Sequence, residues 1–157
     1  MAKKITYLNR TLSKDEEILG VAELHWACYI VPVFLLAFGA LMFLGTQASP
    51  EPGASIFPVV ILLLGAWSLL SRMKREMIAT NKRIISKRGI IAVKTDELKH
   101  GKIESVSVDQ SLFGRLLGYA DVVFSGTGTT KVVFEYIKDP VFTKSKFEEI
   151  IEKASKQ

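Results

Sequence analysis

Residues 24–44 read LHWACYIVPVFLLAFGALMFL, and this stretch decides how the rest of the chain is understood. His25 is the only strongly polar side chain in its 21 residues. At about 1.5 Å of rise per residue the run makes roughly 30 Å of helix, the thickness of a bilayer's hydrocarbon core. Trp26 stands at its start, where an indole ring favours the half-wet headgroup level. Pro32 falls one or two turns inside, which a membrane helix tolerates. A second apolar run, IFPVVILLLGAWSLL at 56–70, reaches the short end of the spanning range once Ala54 and Ser55 are added. It crosses with Arg72 snorkelling to the interface, or the pair forms a shallow re-entrant hairpin; two spans, 24–44 and 54–70, are the favoured reading.

Flanking charge sets the orientation. Lys3, Lys4, Arg10 and Lys14 precede the first run, and Arg72, Lys74 and Arg75 follow the second. The connector GTQASPEPGAS at 45–55 holds no Lys or Arg. By the positive-inside rule both ends are cytoplasmic and the connector faces out, giving a two-span protein of the cell membrane. The 23 residues before the run include Asp15, Glu16, Glu17 and Glu23, unlike the short positive leader of a cleaved signal peptide.

The chain thus divides into a cytoplasmic segment at 1–23, a transmembrane helical hairpin at 24–70 and a cytoplasmic domain at 71–157. In the first, Ser13-Lys14-Asp15-Glu16 has the capping-box arrangement and predicts a short helix from Lys14 towards Leu19. In the last, β-rich stretches recur at 77–80, 83–87, 90–95, 103–108, 121–125 and 131–136, parted by turn residues such as Lys87-Arg88-Gly89 and Gly126-Thr127-Gly128. Asp139-Pro140 opens a terminal helix, and Phe147, Ile150, Ile151 and Ala154 form its apolar face. Six or seven strands and a closing helix are the plan of a small barrel stoppered at one end.

No catalytic or metal-binding set emerges. His25 and His100 are the only histidines, and neither has His or Cys nearby to share a metal. Asp96 and Glu97, adjacent on a strand, point to opposite faces. SGTGTT at 125–130 lacks the helix N-terminus that a phosphate loop needs and reads as a hairpin turn. Cys28 is the lone cysteine, so no disulfide within the chain is available. No enzyme activity, cofactor or metal is expected.

Charge and apolarity are more informative. Arg72, Lys74, Arg75, Lys82, Arg83, Lys87 and Arg88 face Glu76 alone over 72–88. A basic segment beside a cytoplasmic leaflet draws anionic headgroups at about 1 kcal/mol per residue, which nominates Lys82, Arg83, Lys87 and Arg88 as headgroup contacts. The bland alternative is that these charges set topology and solubility. No aromatic–basic interleaving accompanies them, so nucleic acid is not an expected partner. QSLFGRLLGY at 110–119 breaks strand alternation and reads as a loop or one helical turn. Its Leu112, Phe113, Leu116 and Leu117 plug the barrel's open end, or with Arg115 form an exposed patch for a partner or the bilayer.

Several short motifs now form a set: Thr80-Asn81-Lys82-Arg83, Arg88-Gly89, Glu97-Leu98, Lys102-Ile103 with Ser105-Val106, and Gln110-Ser111 with Gly114-Arg115-Leu116-Leu117-Gly118-Tyr119. Together with Glu17-Ile18-Leu19, His25-Trp26 and the two apolar runs, this set resembles the bacterial pleckstrin-homology-like (PH-like) domain of the YdbS-like membrane proteins, over roughly residues 13–136. The resemblance implies an α+β, mainly β fold: a seven-stranded, strongly bent barrel closed by a C-terminal helix and anchored by two membrane helices. It carries little about activity, and fold alone does not transfer phosphoinositide binding. The resulting expectation is a non-enzymatic, membrane-anchored binding module contacting anionic lipid headgroups. The rival is an accessory subunit that binds an integral membrane protein, or a second copy, through the hairpin and the 110–119 loop.

Overall fold

The computed structural model describes residues 12–48, 51 and 53–155. Its two apolar helices, α1 (Ile30–Thr46) and α2 (Ile56–Met73), pack antiparallel as a hairpin. The helical stretches Trp26–Thr46, which takes in the turn before α1, and Ile56–Met73 are long and apolar enough to cross a membrane. Unlike core helices they turn most of their surface outward, with Phe34, Leu41, Ile56 and Leu63 among the exposed side chains. Close approach is set by glycine. A Cβ on Gly39 would lie 3.0 Å from Leu62 Cγ, and one on Gly65 would lie 3.0 Å from Leu36 Cγ.

The first apolar run is not one continuous α-helix. Trp26–Tyr29 form a 3-10 turn, and α1 begins only at Ile30. Pro32 explains the break, because it has no N–H to give the Cys28 carbonyl four residues back. That carbonyl accepts instead from the Arg72 guanidinium at the end of α2, which stitches the feet of the two helices together. The Arg72 guanidinium also lies 5.7 Å from the Tyr136 ring centroid.

The remaining chain builds two antiparallel sheets. One has the order β1 (Ile18–Val21), β2 (Glu76–Thr80), β3 (Arg83–Arg88), β4 (Lys94–Lys99); the other has β5 (Ile103–Asp109), β6 (Tyr119–Gly126), β7 (Lys131–Lys138). A short helix α3 (Leu112–Leu117) joins β5 to β6, and α4 (Pro140–Ser155) follows β7. The expected closed barrel is therefore corrected to two separate sheets of four and three strands. The His100–Lys102 turn carries the chain from one sheet to the other, and at the opposite corner Leu24 bridges Ile137, with the Lys138 N–H donating to the Glu23 carbonyl at 3.0 Å. The apolar face of α4 packs into the core with Phe147 and Ile150. Phe147 meets Phe124 and Phe134 edge-on, at centroid separations of 5.9 and 5.4 Å.

Two further expectations change. The helix from Lys14 towards Leu19 is replaced by a turn and strand β1. Half of the capping box does form, since the Ser13 N–H donates to Glu16 Oε2 at 3.2 Å, but pairing with β2 wins the following residues. The sheet therefore starts before the hairpin rather than at residue 71, and α1 and α2 are inserted between neighbouring strands β1 and β2. The predicted strand at 90–95 begins instead at Lys94; Gly89, at φ +97°, turns the chain and leaves Ile90–Val93 in the connecting loop.

Candidate functional site

Strand direction assigns every loop to one of two ends. β2 leaves the foot of α2 at Glu76, reaches Thr80 at the far end, and β3 returns so that Lys87 faces Glu76. Ser86 Oγ donates to the Val133 carbonyl at 3.1 Å, and Arg88 Nη1 donates to Glu135 Oε1 at 2.8 Å, so β7 runs alongside β3 in the same direction. Lys138 at the end of β7 pairs with Tyr119 at the start of β6. The hairpin end thus carries the β3–β4 turn, α3, and the first turn of α4. The far end carries the β2–β3 turn, the His100–Lys102 turn and the β6–β7 turn.

The four nominated basic residues do not form one patch. Lys82 and Arg83 stand at the far end, and Lys87 and Arg88 at the hairpin end, separated by the length of β3. Lys82 is exposed and Lys87 is buried. Arg83 grips Glu16 through Nε and Nη2, both at 2.8 Å, and donates from Nη1 to Glu97 Oε2 at 2.7 Å. Arg88 donates to Asp96 Oδ2 at 2.6 Å as well as to Glu135, which also pairs with Arg75. Both arginines are held further towards the charged form by these carboxylates, and their charge is met within the fold. Burial alone would raise the Glu16 carboxyl, but Arg83, the Ser13 N–H and the Thr80 hydroxyl hold it below the usual carboxylate range.

α3 is the helical turn expected in the 110–119 loop. Ser111 caps it by accepting from the Gly114 N–H at 3.1 Å, and Gly118 ends it in the left-handed region at φ +80°. The plug reading is corrected, because Leu112, Phe113 and Leu116 are 83%, 72% and 81% exposed and only Leu117 is half-buried. A six-residue helix sitting on the end of β6 has one side to bury, and Gly114 with Leu117 occupies it. Arg115 is exposed beside the three apolar side chains.

Comparable residues that sequence reading missed lie on the same end. Ile91 and Val93 stand out from the β3–β4 turn, and Val141 and Phe142 from the start of α4. Lys74, Lys94 and Lys138 are exposed there too, Lys94 with its ammonium 3.6 Å from Asp96 Oδ1, and so are the acids Glu23, Asp109 and Asp139. Counting antiparallel reversals from the foot of α2 would have placed residues 89–93 at this end. A ring cluster marks the junction: Tyr119 stacks on Tyr136 at 5.0 Å, and buried His25 lies 5.8 Å from Tyr119. His25 Nδ1 accepts from the Ala27 N–H and caps the 3-10 turn, while His100 Nε2 is bound to the Thr80 carbonyl at 2.7 Å. Among the described residues no three His, Cys, Asp or Glu side chains converge as a metal site would require.

Two antiparallel sheets of four and three strands with a C-terminal helix packed between them make a PH-like fold, the general business of which is binding. The family model for the bacterial PH domain matches residues 18–157, a span that takes in β1 and the hairpin as well as the strands after it, and the chain belongs to that family. No curated protein and no solved structure gave a match.

Proposed function

We propose that the protein is a membrane-anchored PH-like binding module, with α1 and α2 crossing the bilayer and both sheets held at the cytoplasmic leaflet. The observation that carries this reading is the place of the hairpin: two outward-facing apolar helices rise from between adjacent strands β1 and β2, so the sheet is joined to the anchor by two connections rather than by a single linker. The Lys/Arg bias of 72–88 against the connector supports the cytoplasmic side. Anionic headgroups are the favoured polar contact, through Lys74, Lys94, Arg115 and Lys138 at the hairpin end rather than through Lys82 and Arg83. Their attraction is modest, because Glu23, Asp109 and Asp139 lie at the same end. Membranes containing the protein are washed with high salt and with alkali, then with detergent. Release by detergent alone is the expected result, and release by salt or alkali rules out spanning. A cysteine at Ala48, in a Cys28→Ser background, reacts with an impermeant thiol reagent on intact cells, while one at Glu104 reacts only after lysis; the reverse pattern inverts the orientation.

The exposure of Leu112, Phe113 and Leu116 favours a second reading, an accessory subunit that holds an integral membrane protein through α3 and the hairpin. Salt-insensitive co-purification with one such protein, lost in Phe113→Ser/Leu116→Ser, distinguishes it.

A further inference from the structure

Apart from Leu19 and Val21 on edge strand β1 and Trp26 at the foot of α1, the exposed large apolar side chains outside the two helices are confined, among the described residues, to three segments. These are the β3–β4 turn, α3 and the first turn of α4, which are remote from one another in sequence. Strand direction gathers all three at the end from which the hairpin emerges. We infer that this end is a three-point seat, in which Ile91, the α3 side chains Leu112, Phe113 and Leu116, and Phe142 dip into the headgroup–acyl boundary of the same bilayer that the hairpin crosses. The inference rests on the reading of the hairpin as a membrane anchor.

The occupant follows from continuity. Arg72 bonds the Cys28 carbonyl and lies over the Tyr136 ring, so the feet of both helices are fastened to the end of β7. A bilayer around α1 and α2 therefore ends against this face, and its headgroup layer is the first surface the three tips meet. The chemistry suits that layer. Ile91 is 78% exposed and Leu116 81%, and each has a long exposed cation within three residues of chain, Lys94 or Arg115, of the kind whose head stays at the polar level while its stem lies along the lipid. Trp26, Tyr119 and Tyr136, linked through the His25 ring, add amphipathic rings at the foot of the hairpin. Exposed apolar patches of this kind mark interaction surfaces. Charge at this end nearly balances, which fits apolar insertion better than electrostatic docking. A seat of three points also fixes the tilt of the domain, leaving the far end, with Lys82, Lys99 and Lys102, directed into the cytoplasm.

The test uses the full-length protein in a Cys28→Ser background, with single cysteines at Ile91, Leu116, Phe142, Leu41 or Glu104. Each carries a polarity-sensitive fluorophore and is reconstituted in phosphatidylcholine vesicles containing lipids with a nitroxide at shallow or deep position. The labels at 91, 116 and 142 are expected to shift to the blue on reconstitution and to lose most of their emission to the shallow nitroxide. The label at 41 is quenched by the deep nitroxide, and the one at 104 by neither. If 41 is quenched deep while 91, 116 or 142 behaves like 104, the seat is overturned and the anchor stands; the wet surface then belongs to a protein partner. If 41 escapes the deep nitroxide, the anchor itself fails and the seat with it.

Discussion

Arg83 holds Glu16 through two hydrogen bonds of 2.8 Å across 67 residues of chain that include the whole helical hairpin. The Glu16 side chain is almost wholly buried, and the Thr80 hydroxyl donates at 2.8 Å to Oε1, the oxygen that also accepts from Arg83 Nε. This contact locks the N-terminal segment to the β2–β3 hairpin at the far end, as the Arg72–Cys28 contact locks the helices at the near end.

Removing one member of such a pair strands the other. Glu16→Ala is expected to cost about 3 kcal/mol, the lower end for breaking a buried ion pair, because Arg83 keeps Glu97 as a second partner. A denaturant or thermal midpoint of the detergent-solubilised protein equal to that of the parent would show that the pair contributes nothing.

The same carboxylate gives a pH signature. Its pKa in the fold is lowered, so its contribution is present above the unfolded value, about 4.3 for Glu, and disappears as pH falls through the folded one. Stability measured between pH 6 and pH 3 should decline less steeply in Glu16→Gln than in the parent. Parallel curves would contradict the assignment.

Phe134 and Phe113 separate core from surface. Phe134 is fully buried against Phe124 and Phe147, so Phe134→Ala should cost about 3–5 kcal/mol. Phe113→Ala should change stability in detergent by no more than about 0.5 kcal/mol, as exposed sites do. Equal losses would mean that α3 packs somewhere it does not in this structure.

The inserted hairpin makes a prediction about folding units. Residues 12–25 joined by a short Gly/Ser linker to 74–155 should give a β-rich circular dichroism spectrum with cooperative melting. Residues 74–155 alone lack β1 and leave β2 as an edge strand paired only with β3, so they should melt earlier and without a sharp transition. A fragment 74–155 as stable as the joined form would show that β1 is dispensable.

Gly39→Leu should force the helices apart, since a Cβ alone at that position would fall 3.0–3.2 Å from Leu62 and Ile61. Spin labels at Ala37 and Leu64 should report a longer separation than in the parent, and an unchanged distance would place the crossing elsewhere.

Local pattern was sufficient for some elements. The two apolar helices follow from run length, α4 from Asp139-Pro140 and an i, i+3, i+4 face, and the loop or helical turn at 110–119 from its broken strand alternation, because each is written in neighbouring residues. The strand at 18–21 was not legible, since Ser13 and Glu16 satisfy a helix-start pattern locally and only β2, beyond the hairpin, offers the ladder that overrides it. The strand expected at 90–95 failed for a related reason: the β-branched residues Ile90, Ile91 and Val93 favour strand in isolation, but the reversal at Gly89 places them in a loop.

For the candidate site the division is sharper. Sequence alone identified the basic residues of 72–88 and the apolar side chains of 110–119, because composition is a local property. Which charges remain available was decided by tertiary structure: Glu16, the β4 pair Asp96 and Glu97, and Glu135 come from three separate segments and meet Arg83 and Arg88 only when the strands pair. Antiparallel pairing also decided that Lys82 and Arg88 lie at opposite ends of a strand, and that Ile91, Phe113 and Phe142 share one. Contacts between residues distant in the chain carry no periodic signal, so their joint placement exists only in the fold.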